Sequence, residues 1–168
     1  MKPSDSCFIR KLTSADRAGA VEVINTAAEW YREFLPADEL HSPEMDAPAW
    51  EAEAQRMTWW GAFVDGKLVG VMGSEPIRDV VLLRHAYVLP RYQRQGVGSR
   101  LLEHVEARLP PSSQIMVGTY AANYKARGNL EKAGYSLSED PVTVLRTYYD
   151  IPEDRLLTSV TYEKRLDD

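Results

Sequence analysis

Residues 80 to 98 hold the side chains and spacing most able to do chemistry. Arg84 and His85 interrupt an otherwise apolar run, Val80-Val81-Leu82-Leu83-Arg84-His85-Ala86-Tyr87-Val88, and Gln93-Arg94-Gln95-Gly96-Val97-Gly98 follows it. The two glycines fall where a chain leaving a strand must turn sharply into a helix, and glycine tolerates both positive φ and close ligand approach. The first turn of such a helix has unpaired N–H donors and a partial positive charge, so its natural guest is a phosphate or pyrophosphate. Helix periodicity after the loop is clear: Val97, Leu101, Val105 and Leu109 recur along one face, Arg100, Glu103, Glu106 and Arg108 occupy others, and Pro110-Pro111 ends the segment.

A Gly-x-Gly pair alone also fits a plain turn, but spacing excludes two common phosphate loops. A dinucleotide fingerprint needs a third glycine where this chain has Leu101, and a Walker loop needs a Gly-Lys-Ser/Thr that is absent. Roughly ninety residues precede the loop, whereas the dinucleotide motif sits in the first βα turn.

The loop resembles the acetyl-CoA-binding motif of the GNAT family of N-acetyltransferases, Gln/Arg-x-x-Gly-x-Gly/Ala between a strand and a helix, with Gln93, Gly96 and Gly98 in the matching positions. The resemblance implies that main-chain amides of Arg94, Gln95, Gly96, Val97, Gly98 and Ser99 hold the donor's pyrophosphate. Tyr87 and Val88 would pair with the pantetheine arm as an added strand. Arg91, Arg94 and Arg100 are near enough in sequence to meet the 3′-phosphate, or to form a solvated basic cluster instead. A second segment, Asn123, Ala126 and Glu131-Lys132-Ala133-Gly134-Tyr135, resembles the family pattern Asn-x-x-Ala-x-x-Phe-Tyr-Glu-Lys-x-Gly-Phe, which gives Asn123 a hydrogen bond to the pantetheine arm. Here the chain departs from the pattern. Asn129-Leu130 stands where Phe-Tyr is usual, and leucine cannot protonate a departing thiolate. Tyr124 and Tyr120 are the nearest hydroxyls that could, and an unassisted thiolate is the alternative.

Acyl transfer to an amine requires the neutral amine, although a free lysine-type amine has a pKa of ~10.4, so some group or water chain must take a proton. No carboxylate lies between Leu82 and Val88, which leaves His85 as the side chain there with a suitable titration range. Strand alternation sets Leu82, Arg84 and Ala86 on one face and Leu83, His85 and Tyr87 on the other. A hydrogen-bonded core histidine is the competing reading. Arg84 suits either a substrate carboxylate or a structural ion pair, and the Val88 N–H could polarise the thioester carbonyl. The catalytic candidates are therefore His85, Tyr124 and Arg84. Tyr31, Phe34, Leu35, His41 and Trp50, with Glu33, Asp38, Glu39 and Glu44, are expected to supply an acceptor site for a small-molecule or peptide amine. The cofactor expected is acetyl-CoA as co-substrate, with no metal, because His41, His85 and His104 lack ligand spacing. Two other functions stay open: a non-catalytic coenzyme A-binding sensor or regulatory module, and a nucleotide-binding module.

Composition is consistent with such a site in one domain. The chain has 168 residues, 44% of them apolar, and a net charge of −5, which argues against a nucleic-acid partner. One cysteine, Cys7, fits a reducing compartment and a buried place in the first strand. Met1–Ser6 has no apolar core of a signal peptide and no window approaches the roughly 18 residues of a membrane span, so a cytoplasmic protein with no membrane partner is expected, with a homodimer left open.

The elements that must position the site follow in order. Cys7–Leu12 reads as a strand, and Thr13-Ser14-Ala15-Asp16 as a capping box for a helix with Val21, Ile24, Ala28 and Tyr31 on one face, limited by Pro36. A second helix carries Trp50, Ala54 and Met57. Thr58–Val64 and Lys67–Gly73 form a hairpin around Asp65-Gly66, and one of Trp59 and Trp60 is expected to be buried. Strand, loop and helix at 79–109 come next. Gln114–Thr119 reads as a strand parallel to 80–88, Ala121–Ala133 as a helix closed by Gly134, and Val142–Tyr149 and Thr158–Arg165 as closing strands. His104 is expected to be exposed. The resemblance implies an α/β (α+β) GNAT-like fold over about residues 6–165 of a single domain. Its sheet is mixed and mostly antiparallel, with helices on both faces, in the order β-α-α-β-β-β-α-β-α-β-β.

Overall fold

A computed structural model describes residues 7–149 and 151–168. The expectations for Met1–Ser6 lie outside the described residues. Seven strands pair in the order β1 (Cys7–Lys11), β2 (Thr58–Val64), β3 (Lys67–Ile77), β4 (Val80–Val88), β5 (Gln114–Tyr120), β7 (Ser159–Arg165), β6 (Ser136–Leu137). The β1–β2, β2–β3, β5–β7 and β6–β7 pairs are antiparallel and β4–β5 is parallel, so the mixed, mostly antiparallel sheet is as expected. The chain divides into two compact units: residues up to Glu75 with His85–Arg108, and Pro76–Arg84 with Leu109–Asp168.

The first unit begins with the capping box. Thr13 Oγ1 accepts from the Ala15 N–H at 3.3 Å while the Thr13 N–H donates to Asp16 at 2.8 Å. Arg10 grips the same carboxylate through two bonds of 2.9 Å, and this guanidinium, with the Thr13 donors, holds Asp16 below the usual carboxylate range. Helix α1 spans Arg17–Ala27, then tightens to 3-10 turns over Ala28–Glu33. The expected face shifts as a result. Ala20, Val23, Ile24 and Ala27 are buried, whereas Val21, Ala28 and Tyr31 are half-buried, since three residues per turn moves positions beyond Ala27 off the α-helical stripe.

Helix α2 (Ala47–Ala54) is capped by Asp46, whose carboxylate accepts from the Ala49 N–H at 2.8 Å. The hairpin turns on Asp65 (φ 51°) and Gly66 (φ 79°), the two left-handed residues of a type I′ turn. Trp59 and Trp60 are both buried, and alternation sends them to opposite faces. Trp59 packs with α1 and α2 in a core of Ala20, Val23, Ile24, Met45, Trp50, Met57 and Val71, and Trp60 meets His104 of helix α3 (Val97–Glu106) edge-on at 5.5 Å. His104 is thus half-buried rather than exposed, and desolvation, reinforced by Arg108, pushes its pKa down from 6.5. Cys7 is buried in β1 as expected, and burial raises its thiol pKa.

In the second unit β4 and β5 run in register from Val81 opposite Ile115 to Leu83 opposite Val117. Helix α4 (Tyr124–Lys132) starts three residues later than expected because Asn123 serves as its N-cap. Gly134, at φ 92°, closes it in a Schellman arrangement: the Tyr135 N–H donates to the Leu130 carbonyl and the Gly134 N–H to that of Glu131. Val142–Tyr149 is not a strand. Pro141–Tyr148 forms helix α5, capped by Asp140 through the Thr143 N–H at 3.2 Å, with Val144, Leu145 and Tyr148 turned inward. A short helix α6 (Glu153–Leu156) and the two-residue β6, neither anticipated, complete the unit. Among the described residues no helix is long and apolar enough to cross a membrane.

Candidate active site

The loop after β4 is pinned at several points. The Leu89 N–H donates to the Val69 carbonyl at 2.9 Å, the Gln93 side-chain amide to the Val88 carbonyl at 3.0 Å, and the Gln95 amide to the Arg91 carbonyl at 2.9 Å. Arg94 (φ 69°) and Gly96 (φ 80°) both adopt left-handed backbone, and Gly96 is the residue from which α3 starts. A Cβ on Gly96 would meet no atom within 4 Å, so glycine is required there by conformation and not by space. The Arg100 N–H makes the bond to the Gly96 carbonyl at 3.0 Å, which puts the amides of Val97, Gly98 and Ser99 ahead of the i→i−4 ladder. Gly70 allows the end of β4 to approach, since its Cβ would sit 3.4 Å from Val88 and Val97 side-chain atoms.

The arginines separate. Arg91 and Arg94 are exposed on the loop, with the Arg91 guanidinium 5.6 Å from the Tyr92 ring centre. Arg100 instead donates to the Cys7 carbonyl of β1 at 3.4 Å.

His85 breaks the expected strand alternation. Its φ of 54° is left-handed, an unusual state for a non-glycine residue, so parity along β4 does not carry through it. The ring stacks on Trp59 at 5.5 Å, Trp59 stacks on Trp50 at 5.2 Å, and His85 Nε2 lies 3.4 Å from Glu53 Oε1. Glu53 Oε2 is held by Arg56 at 2.7 Å. A carboxylate therefore does reach the histidine, from α2 and not from the strand itself. Sequence spacing held a signal for it, because Glu53 lies one helical turn after Trp50, whose face is buried.

The aromatic residues sort into two groups. Tyr31 and Tyr87 share a hydroxyl–hydroxyl bond of 3.0 Å, and Phe34 packs edge-on against Tyr31 at 5.9 Å and against Trp30 at 5.5 Å. Trp50 is 1% exposed and belongs to the core, so it offers no surface to an acceptor. His41, Glu33 and Asp38 are exposed, and Leu35, Glu39 and Glu44 half-buried.

In the second unit, Asn123 is buried and its side chain accepts from the Ala126 N–H at 3.3 Å and donates to Thr119 Oγ1 at 3.5 Å. Tyr124 is 67% exposed at the start of α4. Arg84, Tyr120 and Leu130 are half-buried, and the Arg155 guanidinium lies 5.6 Å from the Tyr120 ring centre. One network escaped the sequence. Arg127 donates to the Tyr162 hydroxyl at 2.9 Å and to the Ala121 carbonyl at 2.8 Å, and Tyr162 donates to Glu131 at 2.9 Å. It clamps α4 onto β7 through a fully buried tyrosine, a pairing set by tertiary packing with no local signal.

A strand, a pinned left-handed turn and a helix N-terminus follow one another here. The acetyltransferase (GNAT) family model matches residues 24–135, and the chain belongs to that family. It is 29% identical over 145 residues to the phosphinothricin N-acetyltransferase of Streptomyces viridochromogenes, covering 76% of this chain and 79% of that one. Its fold is similar to that of the PaiA N-acetyltransferase of Thermoplasma acidophilum in complex with coenzyme A, with a TM-score of 0.73 at 19% identity over 95% of this chain and 99% of the other. The putative acetyltransferase yncA of Salmonella typhimurium, solved with acetyl-CoA, aligns with a TM-score of 0.68 at 20% identity over 97% and 95% of the two chains.

Proposed function

We propose that this acetyltransferase moves the acetyl group of acetyl-CoA to the primary amine of a small molecule or peptide, by direct attack within a ternary complex. The observation that carries the reading is the loop: Gly96 in left-handed backbone feeds the amides of Val97, Gly98 and Ser99 into the first turn of α3. In this reading the amides of Arg94–Ser99 hold the pyrophosphate, with Gln93 fixing the turn through the Val88 carbonyl. Tyr87 and Val88 pair with the pantetheine arm, Asn123 contributes from the start of α4, and Arg91 and Arg94 face the 3′-phosphate.

His85 is the proton acceptor. As the amine nitrogen bonds to the thioester carbon, His85 takes its proton and the tetrahedral intermediate expels coenzyme A thiolate, which Tyr124 protonates. Arg84 recognises a carboxylate on the acceptor. Proximity supplies much of the acceleration. Phosphinothricin, the acceptor named for the curated relative, carries both an amine and a carboxylate and is the first acceptor to test.

Thiol release from acetyl-CoA tests this, measured with phosphinothricin, amino acids, polyamines and alanine-initiated peptides, with mass spectrometry of the product. Amine-dependent release with formation of the N-acetyl product supports the reading. Tight acetyl-CoA binding with no amine-dependent release favours a sensor, to which Leu130 in α4 lends some support because it provides no hydroxyl.

A further inference from the structure

We propose that Glu53 is a positioning residue that fixes the tautomer of His85 and leaves Nδ1 as the proton-accepting atom; this rests on the reading of His85 as the base. The two oxygens of Glu53 are divided. Oε2 receives Arg56 at 2.7 Å, and Oε1 lies 3.4 Å from His85 Nε2. An ionised carboxylate accepts hydrogen bonds only, so a neutral His85 beside it must carry its proton on Nε2. The lone pair then resides on Nδ1, and this nitrogen takes the amine's proton when the C–N bond forms and the C–S bond breaks. The imidazolium so formed is held by the same carboxylate.

Three further features of the first unit make this pair a built arrangement. Asp46 caps α2, the helix that delivers Glu53, through the Ala49 N–H. Trp59 lies against the imidazole at 5.5 Å and is itself held by stacking on Trp50 and by a bond to the Trp50 carbonyl at 3.2 Å. The positive φ of His85 is a strained backbone state, which persists only where its surroundings over-determine it. Glu53 side-chain exposure is 14% and that of His85 is 23%, so the pair is partly shielded yet still open to a reactant.

The test uses the full chain with ¹⁵N-labelled histidine. Long-range ¹⁵N–¹H correlation at alkaline pH reads each ring's tautomer, and His85→Gln assigns the signal among His41, His85 and His104. His85 is expected as a single Nε2–H tautomer in the parent, as a mixture in Glu53→Met, which keeps the aliphatic stem and loses both oxygens, and shifted toward Nδ1–H in Glu53→Gln, whose one oxygen goes to Arg56 and whose NH2 then faces the ring. Turnover of acetyl-CoA with the acceptor found above is expected to fall roughly 10- to 100-fold in kcat for Glu53→Met. The KM for acetyl-CoA should stay within about twofold, and Glu53→Gln should be no faster than Glu53→Met, because its NH2 faces the ring and it carries no charge to hold the imidazolium. An unchanged tautomer and kcat in Glu53→Met, while His85→Gln abolishes turnover, would overturn the role of Glu53 and leave His85 as base. Full turnover in His85→Gln would remove the base itself, and Glu53's role with it.

Discussion

Gly96 and His85 both occupy left-handed backbone, for different reasons. Around Gly96 there is room for a Cβ, so Gly96→Ala introduces only the conformational penalty. That change is expected to lower stability by about 1 kcal/mol and, by shifting the amides of the next turn, to raise the KM for acetyl-CoA several-fold with little effect on kcat; unfolding and steady-state kinetics read the two effects. His104 offers a second test. Its pKa is lowered by desolvation, so in the range below 6.5 the unfolded chain binds a proton that the folded chain resists. Stability is therefore full above 6.5 and falls as pH drops through the folded value. His104→Phe, which keeps a ring against Trp60, should flatten the denaturant midpoint across that range. The glycines of the loop were legible because glycine at a strand-to-helix turn has a local cause. Glu53 is not legible in this way, because strand spacing points only to residues of β4 itself and this carboxylate arrives from a helix more than thirty residues earlier.

At the scale of elements, the segment after Asp140 separates local from global information. Val142, Val144 and Leu145 are β-formers or ambiguous, and a short apolar run cannot be assigned by periodicity alone. The cues for a helix were Asp140 as N-cap and Pro141 in the first turn, a start signal that the β-branched residues obscured. If α5 is the element that seals this side of the second unit, Leu145→Ala, at a site 2% exposed, should cost about 2–5 kcal/mol. A surface strand at this place would lose far less, and chemical denaturation tells them apart. Elsewhere the local chemistry was sufficient. Asp-Gly set the hairpin, the Thr13–Asp16 box set the approach to α1, and Gly134 closed α4, each a backbone requirement that a few residues express by themselves. The short β6 had no such signal, because two residues pair only when a partner strand is already in place.

Across the whole molecule the net charge is −5, yet the proposed donor is itself strongly anionic. Attraction must come from the loop's own donors and from Arg91 and Arg94, with the remaining field opposing it. The KM for acetyl-CoA should therefore rise with ionic strength. Replacing Arg91 and Arg94 together by Gln should raise it about tenfold and weaken its salt dependence, with kcat retained. The order of elements was readable across nearly the entire chain because each buried face repeats at the period of its element. Side-chain networks such as Arg127–Tyr162–Glu131 were not, since they join residues far apart in sequence.

The account turns on an amine attacking a thioester that the loop holds in place. A single-turnover experiment, with enzyme in excess over acetyl-CoA and quenched at intervals, measures this by following free thiol, N-acetylated amine and protein mass together. Direct attack predicts thiol and N-acetyl product appearing at one rate, with the protein never carrying an acetyl group. Thiol released ahead of product with acetyl on the protein, or no product at all, would contradict it.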